Sequence, residues 1–331
     1  MRVRISIVSA LLAAAAGTAI TGAVVIEKPG LYRIMESGRF GFIDTIGKVV
    51  IAPRFIEAGD FSDGLCEVKE NGLYGYINKT GRFIIPPQFD LAKPFTEGLG
   101  LVNMRGKYGF IDKTGKMVIP PQFEMAWNFT QGIARIRRGQ LFGYIDLTGK
   151  MIVEPRYTDA GRFSEGFATV KVGNLYGYID RTGKTVIQPR FEYTWMFSEG
   201  YGAVKQGSHE GSLFGFIDST GKMVIRPQFD RAWEFSDGFA SVMVGDKYGF
   251  IDKNGKMAVP LQFEHVRSFS EGFAPVKTRG LYGFIDKTGR MVIKPQFTDA
   301  KIFLEGIALV SKDGAWCYID KKGKIVYEPK K

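Results

Sequence analysis

The stretch Tyr108-Gly109-Phe110-Ile111-Asp112-Lys113-Thr114-Gly115-Lys116-Met117-Val118-Ile119-Pro120-Pro121-Gln122-Phe123 decides the fold, because the chain writes it again and again. An aromatic-Gly-aromatic-Ile-Asp string recurs with its glycine at 41, 75, 109, 143, 177, 215, 249 and 283, and with Cys317 in that place at the end. Every step is 34 residues except one of 38, where Ser208-His209-Glu210-Gly211 is inserted in a turn. A period of this size marks a repeat architecture, in which each unit buries its apolar face only against its neighbours.

Each unit reads as short β-strands. Tyr-Gly-Phe-Ile-Asp and Met-Val-Ile-Pro are aromatic and β-branched runs. Asp-x-Thr-Gly between them is a turn with the glycine in the left-handed position and the aspartate bonding backbone N–H groups. Phe167-Ala168-Thr169-Val170 exemplifies an upstream strand, joined to the next through two-residue turns such as Asn71-Gly72 and Asp313-Gly314. Phe-x-x-Ala-x-x-Phe, as in Phe89, Ala92 and Phe95, has the three-residue spacing of a short 3₁₀-like connector. A second row of small residues, Cys66, Gly100, Ala134, Ala168, Gly202, Ala240, Ala274 and Ala308, marks a tight contact.

The expected fold is therefore all-β: a tandem array of about nine 34-residue, three-stranded antiparallel meanders over residues 30–331. The end units look complete, with Gly30-Leu31-Tyr32-Arg33-Ile34 opening the first and Ile325-Val326-Tyr327 closing the last, so no strand is left to zip the ends together. Nine units also exceed the usual blade number of propellers. These points favour an open, twisted, solenoid-like stack over the alternative, a closed propeller-like ring. An open stack keeps Cys66 and Cys317 apart as free thiols; only a ring offers them a chance to meet.

The N-terminus is a separate object. Met1-Arg2-Val3-Arg4 precedes an uncharged run from Ile5 to Ile26 with a small-residue stretch, Ala13 to Ala19. Residues 1–19 read as a signal peptide and 20–29 as a short cap or linker, which predicts an exported protein: periplasmic, cell-surface or secreted. The alternative is a membrane anchor over 5–26.

Composition bounds the chemistry. The 331 residues carry 45 Lys+Arg against 34 Asp+Glu, a net charge of +11, with 42 Gly, 2 Cys and 2 His. So little Cys and His argues against a disulfide framework and leaves scant material for acid-base or metal chemistry. No cofactor, metal site or catalytic residue is implied, and the reading is of a protein that is not an enzyme.

The frame of aromatic-Gly-aromatic-Ile-Asp-x-Thr-Gly-Lys, then Val-Ile-x-Pro-x-Phe, then Phe-Ser-Glu-Gly-x-Ala-x-Val resembles the bacterial WG-repeat, or KWG-repeat, family from Gly30 to Pro329. The tryptophan of that name is Phe or Tyr at 40, 74, 108, 142, 176, 214, 248 and 282; only Trp316 keeps it, beside Cys317. The resemblance implies a β-rich repeat protein, often exported or attached to larger envelope proteins and presumed to bind a partner.

Three sets of residues are candidates for recognition or for structure alone. The turn acids (Asp44, Asp112, Asp146, Asp180, Asp218, Asp252, Asp286, Asp320, with Asn78 in one unit) read as turn caps, because one carboxylate per loop does not make a calcium site. A turn cation stands in every unit: Lys48, Arg82, Lys116, Lys150, Lys184, Lys222, Lys256, Arg290 and Lys324. With Lys79, Lys113, Arg181, Lys253, Lys287 and Lys321 beside them they form either a solvated rim or a track for an anionic glycan or polymer. The position after the connector's Ala varies most: Gly59, Lys93, Trp127, Gly161, Trp195, Trp233, Arg267 and Lys301. Trp127, Trp195, Trp233, Lys93, Arg267 and Lys301 have the composition of a protein-binding hot spot. The expected function is a non-catalytic exported scaffold that binds a protein or peptide at the cell envelope; the alternative ligand is an anionic envelope polymer, with nucleic acid disfavoured by export. The insert's His209-Glu210 lacks any H-E-x-x-H context and reads as decoration of a turn.

Overall fold

The computed structural model describes residues 30–207 and 211–329; the signal-peptide and anchor expectations lie outside them. The described residues form nine small antiparallel sheets, one per repeat. Each sheet is a blade, and the blades close into a nine-bladed β-propeller. No helix among the described residues is long and apolar enough to cross a membrane.

The third blade shows the unit. Leu91–Thr96, Leu99–Met104, Lys107–Asp112 and Met117–Phe123 lie side by side in chain order. The first of these corrects the expected connector turn: the segment is a fourth strand. Ala92 pairs with Val102 and Phe95 with Gly100, so Lys93 and Pro94 stand opposite Leu101 alone. That bulge produces the three-residue spacing. Seven sheets have four strands; the first and fifth have three, and in the fifth Ala160 still bridges Val170 where the extra strand would be.

The landmark glycine has a local cause. Tyr108 pairs with Phe123 and Phe110 with Ile119, so the fourth strand bulges over Gly109. A Cβ on Gly109 would lie 2.5 Å from the Ile119 carbonyl oxygen and 2.7 Å from the Pro121 nitrogen. Gly100 belongs to the second row of small residues, where a Cβ would stand 2.7 Å from the Phe95 ring. At the Asp-x-Thr-Gly turn, Asp112 Oδ1 accepts from the Thr114 and Lys116 N–H groups and the Thr114 hydroxyl, while Gly115 takes φ 88°. The Thr114 hydroxyl bond holds the Asp112 carboxyl below the usual carboxylate range.

Cohesion comes from the gaps between blades. Nine apolar clusters of buried residues each draw on two adjacent blades, one cluster for each gap. Tyr76, Ile85 and Phe89 of the second blade meet Ala92, Phe95, Val102 and Ile111 of the third. Each fully buried ring of this kind contributes roughly 1.5–3 kcal/mol. The acid of each Ser-Glu-Gly turn then reaches one blade forward. Asp63 accepts from the Gly98 N–H, Glu97 from Gly132, Glu165 from Gly200 and Glu271 from Gly306.

These same interactions overturn the open stack. Glu305 of the ninth blade accepts from the Gly30 N–H at 2.9 Å and from the Tyr32 hydroxyl at 3.0 Å. Tyr318 donates to the Arg33 carbonyl at 2.8 Å, and Ile307 and Tyr318 share a core with Ile34 and Ile43. Face-to-face packing and side-chain bonds join all neighbouring blades, so closure requires no exchanged strand. Cys66 and Cys317 are both buried and free, in the first-to-second and eighth-to-ninth gaps respectively, and the ring does not bring them together. Burial pushes both thiols up in pKa.

Candidate functional site

The first strands of adjacent sheets are the edges that meet. Ser198 Oγ donates to the Phe235 carbonyl and Ser62 Oγ to the Phe95 carbonyl. In a ring of radial sheets such edges form the inner rim. The variable position sits on this rim, in the bulge. In the sixth blade Thr194 pairs with Val204 and Phe197 with Gly202, leaving Trp195 and Met196 opposite Ala203. In the seventh, Ala232 pairs with Val242 and Phe235 with Ala240, leaving Trp233 and Glu234 opposite Ser241. In these two bulges two residues share one cross-strand neighbour, so neither side chain has a partner of its own to match and the repeat frame does not dictate it.

Trp195 and Trp233 open onto one cleft of about 620 Å³. Tyr193, Phe214 and Ala232 complete its apolar lining, and Glu192, Lys205, Asp230 and Arg231 its charged lining. Tyr193 stands edge-on to Trp195 at 5.3 Å and to Phe214 at 6.3 Å. On the other side of the Tyr193–Trp195 ridge lies a smaller recess of about 230 Å³, where Asp159, Gly161, Arg162 and Tyr176 join the same two residues in the lining. Gly161 leaves no side chain there; a Cβ would fall 2.4 Å from Thr169 Oγ1.

The other hot-spot candidates are used elsewhere. Trp127 is covered by the Arg135 guanidinium 3.8 Å above its ring and packs on Phe142 at 5.7 Å. Lys93 is exposed, and its carbonyl accepts the Tyr76 hydroxyl. Arg267 and Lys301 share Asp299, each at 3.0 Å, and Lys301 also sits over Trp316. The structure thus gathers Trp195 with Trp233 and Arg267 with Lys301, and leaves Trp127 and Lys93 apart. His265 lies 3.0 Å from the Tyr282 hydroxyl, its basicity lowered by burial.

Lys48, Arg82, Lys116, Lys150, Lys184, Lys222, Lys256, Arg290 and Lys324 are all exposed. Their turns lie beside the Ser-acid-Gly turns of neighbouring blades. Lys253 pairs with Glu199 at 3.2 Å, Lys287 with Asp237 at 3.8 Å and Lys321 with Glu271 at 2.9 Å. Carboxylates therefore interleave with the cations on this side.

Sequence reasoning missed Tyr193, Phe214 and the charged groups of the cleft. One signal pointed there: the only break in the period falls in the hairpin whose flanks, Lys205 and Phe214, line it. The inserted His209 and Glu210 lie outside the described residues. Glu67 was missed too. It is 7% exposed, its Oε2 has no hydrogen-bond partner, and burial pushes its carboxyl up to about 7. Its signal is Gly59, where a Cβ would strike the Glu67 carboxylate. No group of three His, Cys, Asp or Glu side chains among the described residues is placed to hold a metal ion.

Comparison with solved structures finds a eukaryotic initiation factor similar over 91% of this chain and 96% of that one, with a TM-score of 0.65 at 9% identity, a likeness of fold alone. The dihydro-heme d1 dehydrogenase NirN matches over 91% of this chain and 73% of its own at 14% identity and TM-score 0.48. AztD of Citrobacter koseri matches over 90% and 93% at 13% identity and TM-score 0.44. A search of curated proteins finds no match in sequence. The model of the WG containing repeat matches residues 40–74, 74–108, 108–141, 142–176, 176–208, 214–248, 248–282 and 282–316. With repeats tiling nearly the whole described ring, the chain belongs to the WG-repeat family.

Proposed function

We propose that this protein is an exported, non-catalytic binding scaffold whose ring presents the cleft between the sixth and seventh blades to a protein or peptide. The observation that carries this reading is the cleft itself: two tryptophans from successive blades, both in bulges, face one recess with Tyr193 and Phe214. Aromatic walls ringed by charge are the makings of an energetic anchor site. The sole break in the period falls in the hairpin whose described flanks, Lys205 and Phe214, line the same recess, so the one blade that departs from the period also carries the site.

The test is retention of ligand from envelope extracts by the mature chain. Trp195→Ala with Trp233→Ala is expected to abolish retention while the thermal midpoint stays near that of the parent; Trp127→Ala retains ligand. Equal retention by the double variant refutes the cleft. Cell fractionation tests export, and cytosolic recovery of the full chain refutes it. The anionic-polymer reading draws on the nine exposed turn cations, but the interleaved carboxylates weaken it. A ligand held by that rim would dissociate steeply with added salt.

A further inference from the structure

We infer that the ligand of this cleft is an acidic peptide segment bearing an aromatic or aliphatic anchor, an inference that rests on the reading of the cleft given above. The charges lining the two recesses are equal in kind but not in availability. Every carboxylate already accepts bonds from the protein. Glu192 takes the Ser212 hydroxyl at 2.6 Å, and Asp230 takes the Gly245 N–H at 2.7 Å. Asp159 takes the Tyr176 hydroxyl and the Ala160 N–H, both at 2.8 Å. The cations are not so engaged. Arg162, Lys205 and Arg231 form no ion pair among the described residues, and Arg162 Nε donates to the Met196 sulfur at 3.0 Å.

The contrast with the eighth and ninth blades is instructive, since there Arg267 and Lys301 are both paired with Asp299. Around the Tyr193–Trp195 ridge the donors of the corresponding cations are left for an incoming group. Guanidinium forks suit carboxylates in particular, because two parallel N–H donors match two oxygens. The ridge is a wall of both recesses, so one extended ligand can lay an apolar side chain into the larger and present carboxylates to the cations on either side. The net charge of +11 favours encounter with an acidic partner. An anionic polysaccharide shares the charge but has no apolar side chain to fill the larger recess.

The experiment selects short random peptides displayed on phage against the full chain, then compares the winners on three proteins: parent, Trp195→Ala/Trp233→Ala, and Arg162→Ala/Lys205→Ala/Arg231→Ala, the fold of each checked by its thermal midpoint. The expected winners hold more Asp and Glu than Lys and Arg, contain Trp, Phe or Leu, and bind the triple variant about tenfold more weakly than the parent. Winners that need the tryptophans but are neutral or basic, or that bind the triple variant as well as the parent, overturn the inference and leave the cleft reading standing. Winners indifferent to Trp195 and Trp233 overturn both. Polygalacturonate is the competing probe; if it displaces the acidic peptides and binds more tightly than they do, a peptide is the wrong class.

Discussion

The third blade and the ninth differ at the landmark position, Gly109 against Cys317, and in the described length of their last strands. In the third blade a seven-residue fourth strand, Met117–Phe123, folds its prolines across Gly109. In the ninth the last strand is described over Ile325–Tyr327, with Tyr318 opposite Tyr327 and Ile319 opposite Ile325. Position 317 holds a cysteine, buried in the core it shares with Phe284, Ala308 and Val310. The glycine of the repeat is thus demanded by its own blade's bulge rather than by the blade next door.

Substitution is the most forceful way to break this comparison. Gly109→Val is expected to cost about 3 kcal/mol, because a branched side chain meets backbone that cannot move without undoing the bulge. Cys317→Val is expected to cost less than about 1.5 kcal/mol, as a volume-conserving change. Denaturant midpoints of the two variants decide it, and equal losses would show that the bulge is not the cause.

A second test contrasts the rim of the second blade with the rest through pH. The Glu67 carboxyl, raised by burial from an ordinary 4.5 to about 7, is harder to ionise in the folded chain than in the unfolded one. Its contribution is whole below the unfolded value and is lost as the pH rises through about 7, a cost of about 3 kcal/mol once both states are ionised. Glu67→Gln is expected to flatten that fall. Thermal midpoints of parent and variant at about pH 5 and pH 8 measure it; parallel curves would assign the pH dependence elsewhere.

The smallest effect sharpens the comparison at the seam. Glu305→Ala removes the bonds to Gly30 and Tyr32, as Glu97→Ala removes the bond to Gly132. In a closed ring each loss is expected to cost about 1 kcal/mol. A free Glu305→Ala beside a costly Glu97→Ala would mean that the seam opens in solution.

The period, the strands on either side of the Asp-x-Thr-Gly turn and the turn's own bonding were legible because each rests on local sequence. The blade's first strand, Leu91–Thr96, was not, since a bulge gives Ala92 and Phe95 the spacing of a tight helical turn while both still pair with the next strand. Closure was missed for a different reason. The end units offer no spare strand, whereas the blades are joined by faces and by acid-to-glycine bonds. The clue was present in Glu305, an acid whose glycine partner could only be Gly30. The cleft was half legible: Trp195 and Trp233 stood out as departures from the frame, but nothing in the spacing distinguished them from Trp127, whose ring is spent on Arg135.

Each bulge on the inner rim sets two residues against one while the ladder on both sides continues. Changing those letters alters what the ring can grip without asking the blades to come apart. Repertoire and cohesion are thereby carried by different side chains, and a lineage of such rings is free to exchange one target for another at little structural risk.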